Sequence, residues 1–272
     1  MKTLVLANQK GGVGKSAVAT LLSHYFAQHG RRVLAVDLDH QKNFSDPLVR
    51  SGRVVPTTFT SDEWMSGSCP AMPAGNFVLV PAGAGLLGME RQPALHNRFA
   101  NGLRNHLRAL DGRFDVCVID TNPNPDIRVI SALASCDFVL SPIQLNQEAM
   151  EGVGALLNHP RAGVRKIKAV LNPKLHLIGL LPTMVEATPF QQENLIGLVM
   201  KYMSLLILLS DRPGDMARLT RRAAIAEAQA DGVVLWEMKK TAAREAWKDS
   251  ERSIVRIADI VTARETSHGA AA

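Results

Sequence analysis

A glycine-rich loop near the amino terminus constrains the fold of this chain more than any other feature. The segment Gly11-Gly-Val-Gly14 follows an apolar run, Thr3–Ala7, and precedes Ser16–His29, in which apolar residues recur at helical spacing. A second apolar run, Arg32–Leu38, comes next and is typical of a buried strand. This order of strand, glycine loop, helix and strand predicts a right-handed βαβ unit with a parallel sheet.

The loop also predicts a site for the phosphates of ATP. Glycines let backbone N–H groups approach phosphate oxygens, and the N-terminus of a helix adds the positive end of its dipole. We expect Lys15 to reach the β- and γ-phosphates and the Ser16 hydroxyl to bind Mg²⁺. The backbone around the phosphates would come from Gly11, Gly12, Val13 and Gly14. The alternative is a glycine-rich turn with incidental lysines, which leaves the intact Gly-Lys-Ser ending unexplained.

Carboxylates follow two of the apolar runs. Asp37 and Asp39 lie at the end of the second predicted strand, and one of them could orient a water molecule or bind Mg²⁺ through water. Asp120 ends the run Phe114–Asp120, where a carboxylate helps to hold Mg²⁺ in phosphate-loop proteins. Solvated carboxylates at a strand end are the alternative interpretation of Asp37 and Asp39.

The rest of the chain alternates between short apolar runs and amphipathic segments. Further strands are predicted at Phe77–Pro81, Phe138–Pro142, Ile167–Leu171, Leu177–Pro182 and Met203–Leu209. Helices are predicted at Gln92–Leu110, Pro125–Ser135, Gln147–Leu157, Phe190–Met200, Leu219–Gln229 and Lys240–Ala263, and Pro47–Gly75 is expected to be irregular with one short helix. The pattern predicts a three-layer α/β fold of the P-loop NTPase type, with a mostly parallel, doubly wound sheet. We expect a single domain over residues 1–272, with a frayed tail at 265–272.

Composition limits the classes of partner and compartment. The chain has 272 residues, 46% of them hydrophobic, and a net charge of +6, which is compatible with a nucleic-acid or acidic partner. Three cysteines, Cys69, Cys117 and Cys136, form no C-x-x-C pair, which indicates a reducing compartment. No apolar run approaches the roughly 18 residues that a membrane span needs. We therefore expect a cytoplasmic protein.

The loop Lys10-Gly-Gly-Val-Gly-Lys-Ser16 resembles the deviant Walker A box of the ParA/MinD family of ATPases. The resemblance implies that the leading lysine, Lys10, acts across the interface of an ATP-sandwich dimer, much as an arginine finger does. It also implies that Asp39 positions the attacking water. His40 and Lys42 stand where the family has proline and glycine, and Asp120-Thr-Asn-Pro-Asn-Pro125 replaces its usual Asp-x-Pro-Pro.

The resemblance extends through the second half of the chain. Leu180-Leu-Pro-Thr-Met184 matches the strand end near the adenine, which makes Pro182 and Met184 candidates for contacting the base. Residues 222–246 are similar to the end of plasmid partition ATPases of the IncC/ParA type, where basic residues bind DNA non-specifically when ATP is bound. The candidates here are Arg218, Arg221, Arg222, Lys240, Arg244 and Lys248. A solvated face with i, i+4 ion pairs is the alternative, because Glu245 and Asp249 lie among them.

These features predict an ATPase that segregates DNA. The resemblance implies slow hydrolysis by a homodimer, stimulation by a ParB-type centromere-binding partner, and association with the nucleoid rather than with a membrane. The alternative is a MinD-like positioning ATPase at a membrane surface, which would end in an amphipathic helix with bulky apolar residues. A sequence-specific repressor would need a helix-turn-helix domain, and none is expected before a loop that begins at residue 8.

Overall fold

The computed structural model describes residues 1–67, 70–212 and 214–263; the predicted tail at 265–272 and Cys69 lie outside them. The strands are β1 Lys2–Leu6, β2 Val33–Leu38, β3 Val55–Pro56, β4 Phe77–Val80, β5 Val116–Thr121, β6 Phe138–Gln144 and β7 His176–Thr183. The first five α-helices are α1 Lys15–Gln28, α2 Ser45–Arg50, α3 Ser61–Met65, α4 His96–Ala109 and α5 Ile127–Ser135. The others are α6 Ala149–Asn158, α7 Val164–Val170, α8 Pro189–Tyr202, α9 Ala223–Asp231 and α10 Thr241–Thr262.

All seven strands join one parallel sheet in the order β3-β4-β2-β5-β1-β6-β7. The chain starts in the middle of the sheet and winds outward in both directions. The predicted doubly wound, three-layer α/β architecture is therefore confirmed. The carboxyl ends of β1, β2 and β5 meet at one edge, which brings the glycine loop and the two predicted carboxylate positions together.

Two apolar layers cover the faces of the sheet. Alternate residues of a strand point to opposite faces, so Val5 joins the layer under α4 to α7, whereas Leu4 and Leu6 pack under α1, α9 and α10. The central strands are buried on both sides, which explains why they are almost continuously apolar in the sequence. The packing of the core thus holds β1 in place, and with it the glycine loop that follows the carboxyl end of β1.

Two of the predicted strands are wrong, and the first of them is helical. Ile167–Leu171 belongs to the end of helix α7, in which Val164 and Ile167 are buried and the Ile167 amide donates to the Gly163 carbonyl. A short apolar run has the same composition in a buried strand and in a short helix. The spacing of its two buried residues, three apart, is the helical signal that the strand assignment overlooked.

Met203–Leu209 does not form the predicted last strand. A 3-10 turn covers Met203–Leu205, and the following residues meet β7 through a single bridge, Leu180 to Leu206. Leu206 and Ile207 are nevertheless buried, so the apolar run reflects packing beside the sheet edge rather than membership of the sheet.

Helix α9 begins at Ala223, four residues after the predicted start at Leu219. The amide groups of Leu219 and Arg221 instead donate to the carbonyls of Pro182 and Val185, which ties this segment to the end of β7. Within the described residues, no helix is both long enough and apolar enough to cross a bilayer.

Candidate nucleotide site

The glycine loop leaves the amino end of α1 open toward a phosphate. Gly12 and Gly14 have φ angles of 73° and 82°, in the left-handed region that strains any residue with a Cβ. Gly14 is the N-cap of α1, and no side chain caps the helix. The first turn also lacks an acidic residue, so its N–H groups and dipole face an anion without competition.

Lys15, Ser16 and Asp120 converge beside this loop. The Ser16 hydroxyl donates to Asp120 Oδ2 at 2.6 Å, across 104 residues of sequence, and the Lys15 ammonium donates to the Lys10 carbonyl at 3.1 Å. Asp120 is fully buried, and its Oδ1 atom has no hydrogen-bond partner among the described residues. A hydroxyl next to a buried carboxylate oxygen with spare acceptor capacity suits Mg²⁺, which prefers oxygen ligands.

Burial dominates the electrostatics of this cluster. It raises the pKa of Asp120 well above the usual range, and repulsion from Asp37 acts in the same direction, whereas Ser16 and Lys15 oppose the shift. Burial likewise lowers the pKa of Lys15, against the attraction of Asp120 and Asp39. Both groups therefore favour their neutral forms more than they would in water, and a polyanion with a divalent cation would stabilise the charged forms.

Asp37, which lies within β2, and Asp39, which directly follows it, have different environments. Asp37 is fully buried and accepts from the Asp39 amide, the Ser45 amide and the Ser45 hydroxyl at 2.6 to 2.9 Å. Burial raises the pKa of Asp37 to about 6. Its acceptor capacity is used to hold the turn after β2 and the start of α2. Asp37 is thus a structural residue of the turn that carries Asp39.

Asp39 lines the cavity in front of the loop. Its Oδ1 accepts from the Gln41 amide at 3.1 Å and lies 3.4 Å from His40 Nδ1, and its carbonyl accepts from the Lys42 amide. Lys42 has a φ angle of 58°, the left-handed conformation that glycine adopts without strain. The turn therefore keeps a glycine-type backbone at a position where the sequence has lysine in place of the expected glycine.

The segment after β5 is held by contacts that the sequence analysis missed. The Asn122 side chain donates to Asp126 Oδ2 at 3.0 Å, and Asp126 caps α5 and pairs with the buried Arg128. Glu90 accepts from the Ile127 amide and pairs with Arg161. The N-cap aspartate two residues before Arg128 could have been found from sequence, whereas the contacts of Glu90 join distant segments.

The loop opens into a cavity of about 940 Å³. Met184, with a φ angle of 52°, lines it next to Gly14, whereas Pro182 is buried within β7 and is not among the described residues that line it. Arg221 and Arg222, which were expected at a DNA surface, also line this cavity. Arg50 of α2 does so as well, and no sequence pattern had indicated it.

The leading lysine is placed on the exposed side of the loop. Its amide donates to Asn8 Oδ1, and its ammonium pairs with Glu148, just before α6. Asn8 is itself anchored by donating to the Pro142 carbonyl at 2.8 Å. Lys10 therefore points away from the nucleotide cavity of its own chain, whereas the Lys15 side chain is buried.

The predicted DNA contacts do not form one uninterrupted basic surface. Arg222 pairs with Asp249, Lys240 with Glu227, and Arg221 lies 3.5 Å from Glu186. Arg218, Arg244 and Lys248 are exposed. The structure thus places Arg221 and Arg222 beside the cavity, and it places acidic partners next to three of the six candidates.

Comparison with known proteins agrees with this geometry. Residues 1–177 match the family described as an AAA domain. The chain is 34% identical over 264 residues to protein IncC of Escherichia coli, covering 92% of this chain and 67% of IncC. It is 37% identical over 187 residues to the chromosome-partitioning ATPase Soj of Thermus thermophilus, covering 68% of this chain and 70% of Soj. The chain spans about two thirds of the length of these relatives.

Solved structures share the fold. A cobyrinic acid a,c-diamide synthase from Mycobacterium smegmatis with bound ADP and magnesium superposes with a TM-score of 0.68 at 28% identity, covering 85% of this chain and 91% of that one. Apo McdA from Cyanothece gives a TM-score of 0.73 at 20% identity, covering 96% and 99%. Family match, relatives and fold agree with the resemblance found in the glycine loop, and this chain belongs to the ParA/Soj family of partition ATPases.

Proposed function

We propose that this protein is an ATP-hydrolysing switch that segregates DNA. The observation that carries the proposal is the convergence of Lys15, Ser16 and Asp120 on an uncapped helix N-terminus at the floor of a large cavity. These groups fit a magnesium-bound nucleoside triphosphate by charge, by donor and acceptor type, and by position at the carboxyl ends of parallel strands.

The residues in and next to the cavity have different roles in hydrolysis. The backbone of residues 11–14 and Lys15 bind the phosphates, and Ser16 and Asp120 hold Mg²⁺, with Asp39 as a further oxygen donor through water. When bound, Mg²⁺ neutralises charge on the β- and γ-phosphates. Asp39 orients the attacking water, because it lines the cavity at the end of β2, whereas Asp37 is committed to the turn. Met184 supplies apolar surface to the base.

We propose that Lys10 acts on the nucleotide of a second subunit. Its half-buried position beside Glu148 and its direction away from its own cavity support this role. In this arrangement two subunits enclose two nucleotides, and hydrolysis is slow until dimer and partner complete the geometry. The ion pair with Glu148 holds Lys10 in the separate chain and must be exchanged for phosphate contacts when the dimer forms.

We propose that the ATP-bound dimer binds duplex DNA non-specifically and that a ParB-type partner stimulates hydrolysis and release. The names of the relatives support a role in partition, and the exposed Arg218, Arg244 and Lys248 are available for phosphate contacts. The proposed place of action is the cytoplasm, on the nucleoid.

The test is binding to random-sequence duplex DNA with ATP, with ADP and without nucleotide, over a salt series. Binding that requires ATP and weakens steeply with salt supports the proposal. Absence of DNA binding in every state would refute it. Binding to anionic vesicles in the same ATP-dependent way would then favour the MinD-like alternative.

A further inference from the structure

The excess positive charge of the chain is concentrated in one short segment far from the glycine loop. Of 31 Lys and Arg residues, five lie in residues 161–174, and none of the 25 Asp and Glu residues does. The rest of the chain therefore holds 26 basic and 25 acidic residues and is almost neutral. The five residues, Arg161, Arg165, Lys166, Lys168 and Lys174, are exposed and are called the α7 basic surface below.

The cations of this surface are largely free of acidic partners. Arg161 pairs with Glu90, and Arg165 donates to the neutral Asn158 side chain at 2.9 Å. Among the described residues, Lys166, Lys168 and Lys174 form no ion pair. The predicted DNA contacts Arg222 and Lys240, by contrast, are each paired with a carboxylate. Unpaired cations bind a polyanion without first losing a partner.

The backbone beneath these side chains is fixed. Asn172 donates through its side chain to the carbonyls of Leu133 and Cys136, at 3.0 and 2.7 Å, and Arg104 of α4 donates to the carbonyl of Leu171. At the other end of α7, the His159 ring accepts from the amides of Arg161 and Ala162. Val164 and Ile167 anchor the inner face of the helix. The five basic side chains thus extend from a backbone that is held at both ends of α7. The side chain of Arg104 adds a sixth positive charge nearby.

The α7 basic surface lies at the amino ends of the strands, whereas the nucleotide site lies at their carboxyl ends. Asn172 contacts Cys136, two residues before the start of β6, and the segment leads into the start of β7. The glycine loop follows the carboxyl end of β1, which is parallel to β6. A polyanion on this surface therefore does not compete with nucleotide for the cavity of the same chain.

We infer that the α7 basic surface binds the phosphate backbone of duplex DNA, as a contact separate from the α9–α10 candidates. The inference rests on the proposed DNA-binding function and assigns a surface to it. Three exposed lysines, a rigid backbone and the absence of acidic residues over 14 positions fit a regular row of phosphates. Exposed lysines that read no bases would contribute affinity without sequence preference.

The experiment compares salt dependence of binding to a random-sequence duplex, with ATP, for the full chain and three variants. The test variant carries Lys166→Gln, Lys168→Gln and Lys174→Gln. A charge-matched control carries Arg31→Gln, Arg91→Gln and Lys201→Gln, which are exposed residues elsewhere. A third variant replaces the same three α7 lysines by arginine. Circular dichroism and ATP affinity check that each variant is folded and has an intact cavity.

If the inference holds, the slope of log K against log salt becomes shallower by about 2 to 3 in the test variant. The charge-matched control and the arginine variant keep the slope of the unaltered chain. An unchanged slope in the test variant overturns the inference while leaving the proposed function in place, and equal losses in the test and control variants overturn it as an effect of net charge. Absence of DNA binding by the unaltered chain refutes both proposals. Loss of binding to anionic vesicles, with DNA binding unchanged, assigns the surface to lipid instead.

Discussion

The nucleotide cavity and the α9–α10 face, which consists of Arg222, Lys240, Arg244 and Lys248 with their acidic neighbours Glu227 and Asp249, both carry many charges, but they hold them in opposite ways. At the nucleotide site, Lys15 of the cavity wall and the carboxylates Asp37 and Asp120 behind it are buried and hydrogen-bonded to specific partners. On the α9–α10 face, the charged residues are exposed and pair mainly across the surface, as Arg222 does with Asp249. Substituting one of the buried charges is expected to have a large effect that salt hardly changes. The exposed charges are screened by water and ions, so substituting one of them is expected to have a small effect. The same residue types therefore have effects of very different size.

Replacing Lys15 by Ala gives the largest expected effect. The change removes the charge-assisted contacts to the phosphates and leaves Asp120 without its nearby cation, so the Kd for ATP rises by at least about 100-fold, or about 3 kcal/mol. Calorimetric titration with ATP and Mg²⁺ measures it. Lys10→Ala is the matched control at protein concentrations that keep the chain monomeric, because Lys10 faces away from the cavity of its own chain. Equal weakening by both changes would contradict the division between the two lysines.

Asp39→Ala is expected to separate turnover from binding. Loss of the group that orients water lowers the hydrolysis rate by about 100-fold, while the Kd for ATP stays within about threefold. Single-turnover hydrolysis and nucleotide titration measure the two quantities. Turnover that survives in this variant would show that another group orients the water.

A buried group outside the cavity sharpens the comparison. His24 in α1 is buried, and burial together with the charge of Arg53 lowers its pKa to about 4. Its neutral form therefore stabilises the fold above the unfolded pKa of about 6.5, and this contribution is lost as the pH falls toward 4. Between pH 7 and pH 5 the free energy of unfolding should fall by about 2 kcal/mol on account of His24.

Urea unfolding at the two pH values measures this change, and a His24→Leu variant shows which part belongs to His24. The variant should have a flatter dependence on pH than the unaltered chain. If the free energy of unfolding depends on pH in the same way in both proteins, the His24 ring takes up a proton in the folded state. Burial would then not lower the pKa of His24.

Asp249→Asn gives the smallest expected effect on stability. The Arg222–Asp249 pair is partly exposed, so its loss leaves the free energy of unfolding almost unchanged. If Arg222 touches DNA, its release from Asp249 steepens the salt dependence of DNA binding by up to about 1. Asp259→Asn, an exposed change on the same helix, is the control. A loss of several kcal/mol would contradict the contrast between buried and exposed charge.

Local patterns predicted the central strands and the phosphate loop because each apolar run and the glycine spacing lie within a few consecutive residues. The apolar runs of the central strands and the left-handed glycines of the loop leave few alternatives. The sequence could not show that Asp37 is committed to Ser45, that Lys10 pairs with Glu148, or that Arg221 and Arg222 reach the cavity, since these contacts depend on packing across the fold. The error at Ile167–Leu171 has the same origin, because a short apolar run takes its conformation from its neighbours.

The position of β1 has a consequence for how the protein is made. β1 and the glycine loop are synthesised before β5 and β6, yet β1 pairs with these two strands, more than 100 residues later in the chain. Contacts of such long range form late and slow the folding of parallel sheets. A nascent chain that ends before Val116 contains every residue of the loop but neither strand that supports it, nor Asp120. ATP thus has no complete site until synthesis is well advanced, and its binding energy then favours the assembled sheet over partly folded forms.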